Sequence, residues 1–234
     1  MNKKVMIPGV DLDLALIYSG CKKPFQNELV MKMDQLHEEL QSSVMPKTYW
    51  RLFDLEFLDN KVALKGTSIV LEGELAAKRL QECKQVVFMA GTLSIGFDQK
   101  LASKSLVNAS DALLFDSLGS SAIESVMDQI EQEIQQDLPD IRLLPRFSCG
   151  YGDLPLKLQK DLFREFDLSR KCGIYLSDSL MMNPTKSITA FAGVKNQMIM
   201  DCCSMETKIS KQKNHNCDEC TMKSKCEYSK TISY

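Results

Sequence analysis

The residues best suited to binding chemistry lie in the segment Arg146-Phe-Ser-Cys-Gly-Tyr-Gly-Asp-Leu-Pro155. Gly150 and Gly152 bracket Tyr151, and because glycine has no Cβ, its backbone groups can come close to a ligand. Arg146 supplies a permanently charged, forked donor that suits a carboxylate. Tyr151 adds a flat aromatic face with a polar tip. The segment therefore favours a small ligand with a carboxylate at one end and an aromatic base at the other.

The same segment resembles the Arg-x-x-x-Gly-Tyr motif of the S-adenosylmethionine-binding activation domain of cobalamin-dependent methionine synthase. Two further blocks resemble that family in the family's order: Asp116-Ser-Leu-Gly-Ser-Ser-Ala-Ile-Glu124, and Gly173-Ile-Tyr-Leu-Ser-Asp-Ser-Leu-Met-Met-Asn-Pro184 running into Ser187-Ile-Thr-Ala190. The resemblance covers roughly residues 60 to 200. It implies the family's U-shaped α+β architecture. The residues alone also allow a plain tight turn, closed by an ion pair between Arg146 and Asp153.

The resemblance also implies a role for each motif residue. Arg146 would hold the amino-acid carboxylate of S-adenosylmethionine, and backbone groups at Ser148 and Gly150 would meet the adenine or the ribose. Tyr151 would pack near the sulfonium or the base, and a cation against an aromatic face gains ~0.5–2 kcal/mol. No general acid or base is predicted, so catalysis would depend on proximity and orientation.

A long helix is predicted over residues 108–136, capped by Asn108 or Ser110. Its apolar stripe is interrupted by Gly119-Ser120-Ser121, and a glycine inside a helix costs roughly 1 kcal/mol against alanine. Such a position indicates close approach of another backbone or of a ligand, and the resemblance favours a helix that lines the cofactor cleft. Either Asp116 or Glu124 could then balance the ammonium or sulfonium charge. The alternative for both carboxylates is a solvated helix face.

Nine cysteines are present, and five of them fall within the last 33 residues. Cys217, Cys220 and Cys226 form a Cys-x2-Cys-x5-Cys pattern, whose thiolates can bind one tetrahedral metal or one face of an iron–sulfur cluster. Cys203, Cys202 or His215 could supply a fourth ligand, and Cys203 is our choice. Zinc would stabilise a tail with few core-forming residues, whereas a cluster would add electron transfer. The alternative is three free cysteines.

The hydrophobic patterns predict helices and strands in alternation, with hairpins at both ends of the sheet. We therefore expect an α+β fold with a curved, mostly antiparallel sheet and helices packed across it. The domain prediction is an N-terminal helical segment (1–45), an activation-domain-like core (46–200) and a Cys-rich tail (201–234). The predicted helices lie at residues 10–42, 72–83, from about 97, 108–136 and 156–166. The predicted strands lie at residues 49–57, 62–64, 68–71, 86–91, 141–144, 172–176 and 187–194. A turn at Lys195-Asn196 and a hairpin strand at 197–200 are predicted to follow the last of these strands.

Composition narrows the class of protein further. A net charge of −2 gives no basic field for nucleic acid. No apolar run approaches the ~20 residues of a membrane span, and Asp11 and Asp13 interrupt any signal-like core. We expect a cytoplasmic protein without nucleic-acid or membrane partners.

The function predicted is that of a stand-alone reactivation protein, a component in trans of a cobalamin-dependent methyltransferase such as methionine synthase. It would bind S-adenosylmethionine for reductive methylation of the corrinoid. The cobalamin would be carried by the partner, because Asp-x-His-x-x-Gly is absent from these 234 residues. Two alternatives stand beside it: a module that senses S-adenosylmethionine or docks on a corrinoid protein without turnover, and a metal-stapled redox carrier.

Overall fold

The computed structural model describes Ile7 and residues 9–59 and 61–196. The helices are α1 (Leu12–Tyr18), α2 (Asn27–Ser43), α3 (Glu74–Leu80), α4 (Ile95–Val107), α5 (Ala109–Asp137), α6 (Gln159–Phe166) and α7 (Leu168–Cys172), and a 3-10 turn (Leu156–Leu158) precedes α6. The strands are β1 (Lys47–Leu58), β2 (Lys61–Leu64), β3 (Val70–Glu72), β4 (Gln85–Thr92), β5 (Ile141–Leu143), β6 (Tyr175–Leu176), β7 (Met182–Asn183) and β8 (Ser187–Asn196).

Six of these strands form one sheet in the order β3-β2-β1-β4-β8-β5. Its edges are antiparallel, since β3 pairs with β2 through Val62↔Leu71, and β5 pairs with β8 through Leu143↔Val194. β6 and β7 form a separate antiparallel pair. The prediction of an α+β fold with a mostly antiparallel sheet is confirmed.

The chain divides into two compact units. Described residues of 1–50, 89–132 and 159–189 form unit 1. Its hydrophobic core is built by the apolar faces of α1, α2, α4 and α5, and Met33, Leu36 and Leu40 of α2 are at most 1% exposed. The rings of Phe97 and Phe115 stack there with centroids 5.2 Å apart. Leu29, Met33, Leu36 and Leu40 repeat at four-three-four spacing, which puts them on one apolar face of α2, and this core is where that face is buried.

Described residues of 51–88, 133–158 and 190–196 form unit 2. α3 follows β3 directly, and the segment after β5 runs back beside β8, where Phe147 and Phe191 exchange two backbone hydrogen bonds of 2.9 and 2.8 Å. The Phe191 ring lies 5.8 Å from that of Phe147 and 5.3 Å from that of Phe88. These contacts fix the segment that leads into the Arg146 motif.

The predicted helix over residues 10–42 is wrong in one respect, because two helices occupy that stretch. α1 ends at Tyr18, where the amide of Gly20 donates to the carbonyl of Ile17 and that of Cys21 to the carbonyl of Leu16. Gly20 has a φ of +88°. This is a Schellman ending, in which glycine takes the left-handed conformation that closes a helix.

Two strand predictions are also corrected. The strand predicted at 172–176 is shortened, since Cys172 ends α7 and Gly173 caps that helix with a φ of +69°. The turn predicted at Lys195-Asn196 is strand, because Arg142 and Ile141 of β5 pair with those two residues. That partner lies about fifty residues away along the chain, and local patterns carry no information about it. The hairpin strand predicted at 197–200 lies outside the described residues.

Candidate functional site

The Arg146 motif forms a compact loop in unit 2 that begins where Phe147 pairs with β8. The amide of Tyr151 donates to the carbonyl of Ser148 (3.2 Å), and the amide of Gly150 donates to the carbonyl of Leu154 (2.8 Å). Gly150 and Gly152 have φ values of +86° and +60°. The two glycines are therefore needed for the path of the backbone itself, because other residues rarely adopt this conformation.

The loop engages its own backbone at two of the predicted contact positions. The Gly150 amide is used inside the loop, so in this conformation Gly150 contributes shape rather than a donor. The Ser148 carbonyl accepts one hydrogen bond and keeps a second lone pair that a ligand could use. Arg146 is half-buried at the start of the loop, and Tyr151 is half-buried within it.

Asp153 attaches the loop to the beginning of α3. Its carboxylate accepts hydrogen bonds from the backbone amides of Glu74 (2.6 Å) and Leu75 (3.1 Å). These amides belong to the first turn of the helix, where backbone donors have no partner within the helix. The contact depends on Gly73, whose φ is +109° and where an added Cβ would lie 2.8 Å from Asp153 Cγ. Asp153 thus has a structural role that needs no ion pair with Arg146.

One face of α3 also packs on the loop. Leu75 and Arg79 are four residues apart and share that face. An added Cβ at Gly152 would lie 2.8 Å from Leu75 Cδ2. The Arg79 guanidinium lies 5.8 Å from the centroid of the Tyr151 ring and 5.9 Å from that of Phe147. Sequence reasoning missed this partnership, since nothing local links residues seventy positions apart.

The two predicted carboxylates lie on α5, in unit 1, and have different surroundings. Glu124 lines a cavity of about 480 Å³, together with Tyr18, Ser120, Ile123, Thr185, Lys186 and Ser187. Asp116 forms an ion pair with Lys186 (2.9 Å), and the same ammonium donates to Ser120 Oγ (2.9 Å). The charge of Asp116 is therefore already balanced within unit 1, and Glu124 is the predicted carboxylate that faces a cavity.

The small residues of α5 divide between the two explanations that the sequence left open. An added Cβ at Gly119 would lie 2.3 Å from two carbons of the Phe97 ring, so this glycine serves helix packing. Ser120 lines the cavity. Ser121 donates to the carbonyl of Asp11 (2.8 Å) and so connects the N-terminal end of α1 to α5.

The cysteines within the described residues are buried or half-buried thiols. Burial raises the pKa of the Cys149 thiol to about 12 and that of Cys172 to about 11. Burial also raises the pKa of Cys83. Over the part of the chain that the structure describes, no group of three His, Cys, Asp or Glu side chains could hold a metal ion. The predicted ligands Cys203, Cys217, Cys220 and Cys226 lie outside that part.

The structure thus places Arg146, Ser148, Gly150 and Tyr151 on one loop of unit 2 and Asp116 and Glu124 on one helix of unit 1. Among the residues with assigned positions, no helix is long and apolar enough to cross a membrane.

No family model matches the chain, and no curated protein matches it. Among solved structures, the crystal structure of the MetH reactivation domain bound to AdoHcy matches with a TM-score of 0.63 and 11% sequence identity. The match covers 82% of this chain and 77% of that chain. The chain therefore has the fold of that reactivation domain.

Proposed function

We propose that this chain binds S-adenosylmethionine through the Arg146–Asp153 loop and serves in the reactivation of a corrinoid protein. The observation that carries the proposal is that the Arg-x-x-x-Gly-Tyr motif falls on one ordered loop of a chain with this fold. The solved structure of similar fold is described as bound to AdoHcy, the product left when S-adenosylmethionine gives up its methyl group. Fold likeness alone does not carry a function from one protein to another. The motif on its loop supplies the second, independent support.

The proposed roles follow from the chemistry of each group. Arg146 binds the amino-acid carboxylate, because a guanidinium can donate two parallel hydrogen bonds to it. The second lone pair of the Ser148 carbonyl accepts from the ligand, while Gly150 sets the path of the loop. S-Adenosylmethionine supplies the methyl group, and the protein's part is to bind and orient it.

The remaining parts of the proposal concern partners. The acceptor would be a corrinoid carried by a partner, cobalamin-dependent methionine synthase or a related protein. The Cys-x2-Cys-x5-Cys segment would bind zinc or an iron–sulfur cluster, and its spacing is the support for this assignment. We also propose that the chain acts in the cytoplasm.

Calorimetric titration with S-adenosylmethionine tests the central assignment. Arg146→Ala should weaken binding by ~2–5 kcal/mol, because the variant leaves a buried carboxylate without its partner. Arg142→Ala is the matched control, since it removes an exposed arginine from the adjoining strand β5 and should leave the affinity unchanged. Thermal unfolding of both variants shows whether they are folded. Equal affinity of wild type and a folded Arg146→Ala variant would reject the proposed site.

A further inference from the structure

α3 is more than a packing helix, because it makes three contacts with the motif loop (residues 146–153). Its first two amides are bound by Asp153, its Leu75 side chain lies against Gly152, and its Arg79 side chain lies against two aromatic rings. The three contacts follow one another along a single helix face. A helix of seven residues held in this way positions the loop.

Arg79 is placed between the two aromatic residues of the motif. Phe147 is 4% exposed and fixed to β8 by its backbone pair with Phe191. Tyr151 is half-buried at the turn of the loop. A guanidinium within about 6 Å of a ring centroid is attracted by the negative face of the ring. Arg79 therefore links the half-buried Tyr151 ring to the buried Phe147 ring.

We propose that Arg79 is a positioning residue that holds the Tyr151 ring for the neutral adenine end of an S-adenosyl ligand. The inference deepens the proposed function and depends on it. Because the ring already interacts with one cation, a sulfonium placed on the same ring would be repelled by the guanidinium. The adenine carries no charge and stacks on an aromatic ring without that penalty. Tyr151 thus recognises the base, and the methyl-bearing sulfur lies away from Arg79.

Two measurements on the full chain test this inference. The first needs no ligand: selectively labelled tyrosine, assigned with Tyr151→Phe, reports the ring of Tyr151 by NMR. Arg79→Met should shift and broaden that ring signal, Arg79→Lys should restore most of it, and Lys78→Met should leave it unchanged. Lys78 is the matched control, because it is an exposed cation next to Arg79 on the same helix.

The second measurement is the affinity of each variant for S-adenosylmethionine and for S-adenosylhomocysteine. Arg79→Met should weaken both by about tenfold and by the same factor, because both ligands carry adenine and a lost cation–π contact has roughly that effect. Arg79→Lys should stay within about threefold of wild type, and Lys78→Met should match wild type.

The outcomes separate this inference from the function on which it depends. An unchanged Tyr151 signal in Arg79→Met overturns the positioning role, whatever the ligand data show. Tighter binding of S-adenosylmethionine relative to S-adenosylhomocysteine in that variant overturns the adenine assignment, since it would mean that a nearby repulsion had been removed. A wild-type chain that binds neither ligand rejects the proposed function and the adenine assignment with it, and the NMR result then decides the positioning role alone.

Discussion

Buried thiols make the folded state sensitive to alkaline pH. In the folded chain, burial holds the Cys149 thiol neutral, with a pKa raised from 9.0 to about 12. The unfolded chain exposes the same thiol, which ionises above pH 9. A raised pKa of this kind stabilises the fold fully below pH 9, and the stability is lost progressively as pH rises from about 9 towards 12. Cys172 adds a similar dependence up to about pH 11.

We therefore predict that Cys149→Ala flattens the fall of stability with alkaline pH. Between pH 9 and 10.5, the unfolding free energy of wild type should decline faster than that of the variant, by a difference that rises towards about 1.4 kcal/mol per pH unit. Urea unfolding at a series of pH values measures both slopes. Cys172→Ala should flatten the curve in the same way. Parallel curves for wild type and Cys149→Ala would show that this thiol ionises without opposing the fold.

At the scale of elements, the attachment of the motif loop to α3 depends on one glycine. Gly73 combines a φ of +109° with a position where a Cβ would meet the Asp153 carboxylate at 2.8 Å. Gly66, in the same unit, also has a positive φ, +77°, but its added Cβ would meet nothing within 4 Å. Substitution of each glycine by alanine therefore separates the cost of backbone strain, which both variants have, from the loss of the Asp153 contact, which only the Gly73 variant has.

Gly73→Ala should destabilise the fold by more than Gly66→Ala does. Backbone strain costs each variant about 1–3 kcal/mol, and the Gly73 variant should lose a further ~0.5–2 kcal/mol from the displaced helix cap. Urea unfolding gives both values, and Asp153→Ala combined with Gly73→Ala should add little to Gly73→Ala alone. If the two losses instead add, Gly73→Ala does not act by displacing the Asp153 contact.

Local chemistry made much of this architecture predictable. The run of apolar residues at 86–91 became the buried strand β4, and Asn108 caps α5 as expected, its side-chain oxygen accepting from the amides of Ser110 (2.9 Å) and Asp111 (3.3 Å). The glycines of the motif also indicate a tight loop at residues 146–155. The contacts of this loop with α3 are not predictable, because they join residues far apart in sequence whose types carry no pairing signal. For the same reason, the sequence predicts a turn at Lys195-Asn196, although both residues pair with β5.

At the scale of the whole molecule, the proposed function requires a second protein. Methyl-labelled S-adenosylmethionine should pass its label to the reduced corrinoid of a partner methyltransferase when this chain is added, because the proposed role is to orient the methyl donor. Arg146→Ala should abolish the transfer and Arg142→Ala should not. Binding of S-adenosylmethionine without transfer to any corrinoid protein tested would favour the sensing module instead.

Reductive methylation of a corrinoid needs an electron, and the metal bound by the Cys-rich segment determines whether this chain could supply it. Iron and sulfide should copurify anaerobically with the full chain if this segment carries a cluster that donates the electron, and the Cys217→Ser/Cys220→Ser double variant should lose them. Cys21→Ser, which alters a half-buried thiol in unit 1, is the control and should retain them. Stoichiometric zinc without visible absorption would assign a structural metal and require an external reductant. The absence of both metals from wild type would leave the thiols free and remove the metal site from the proposal.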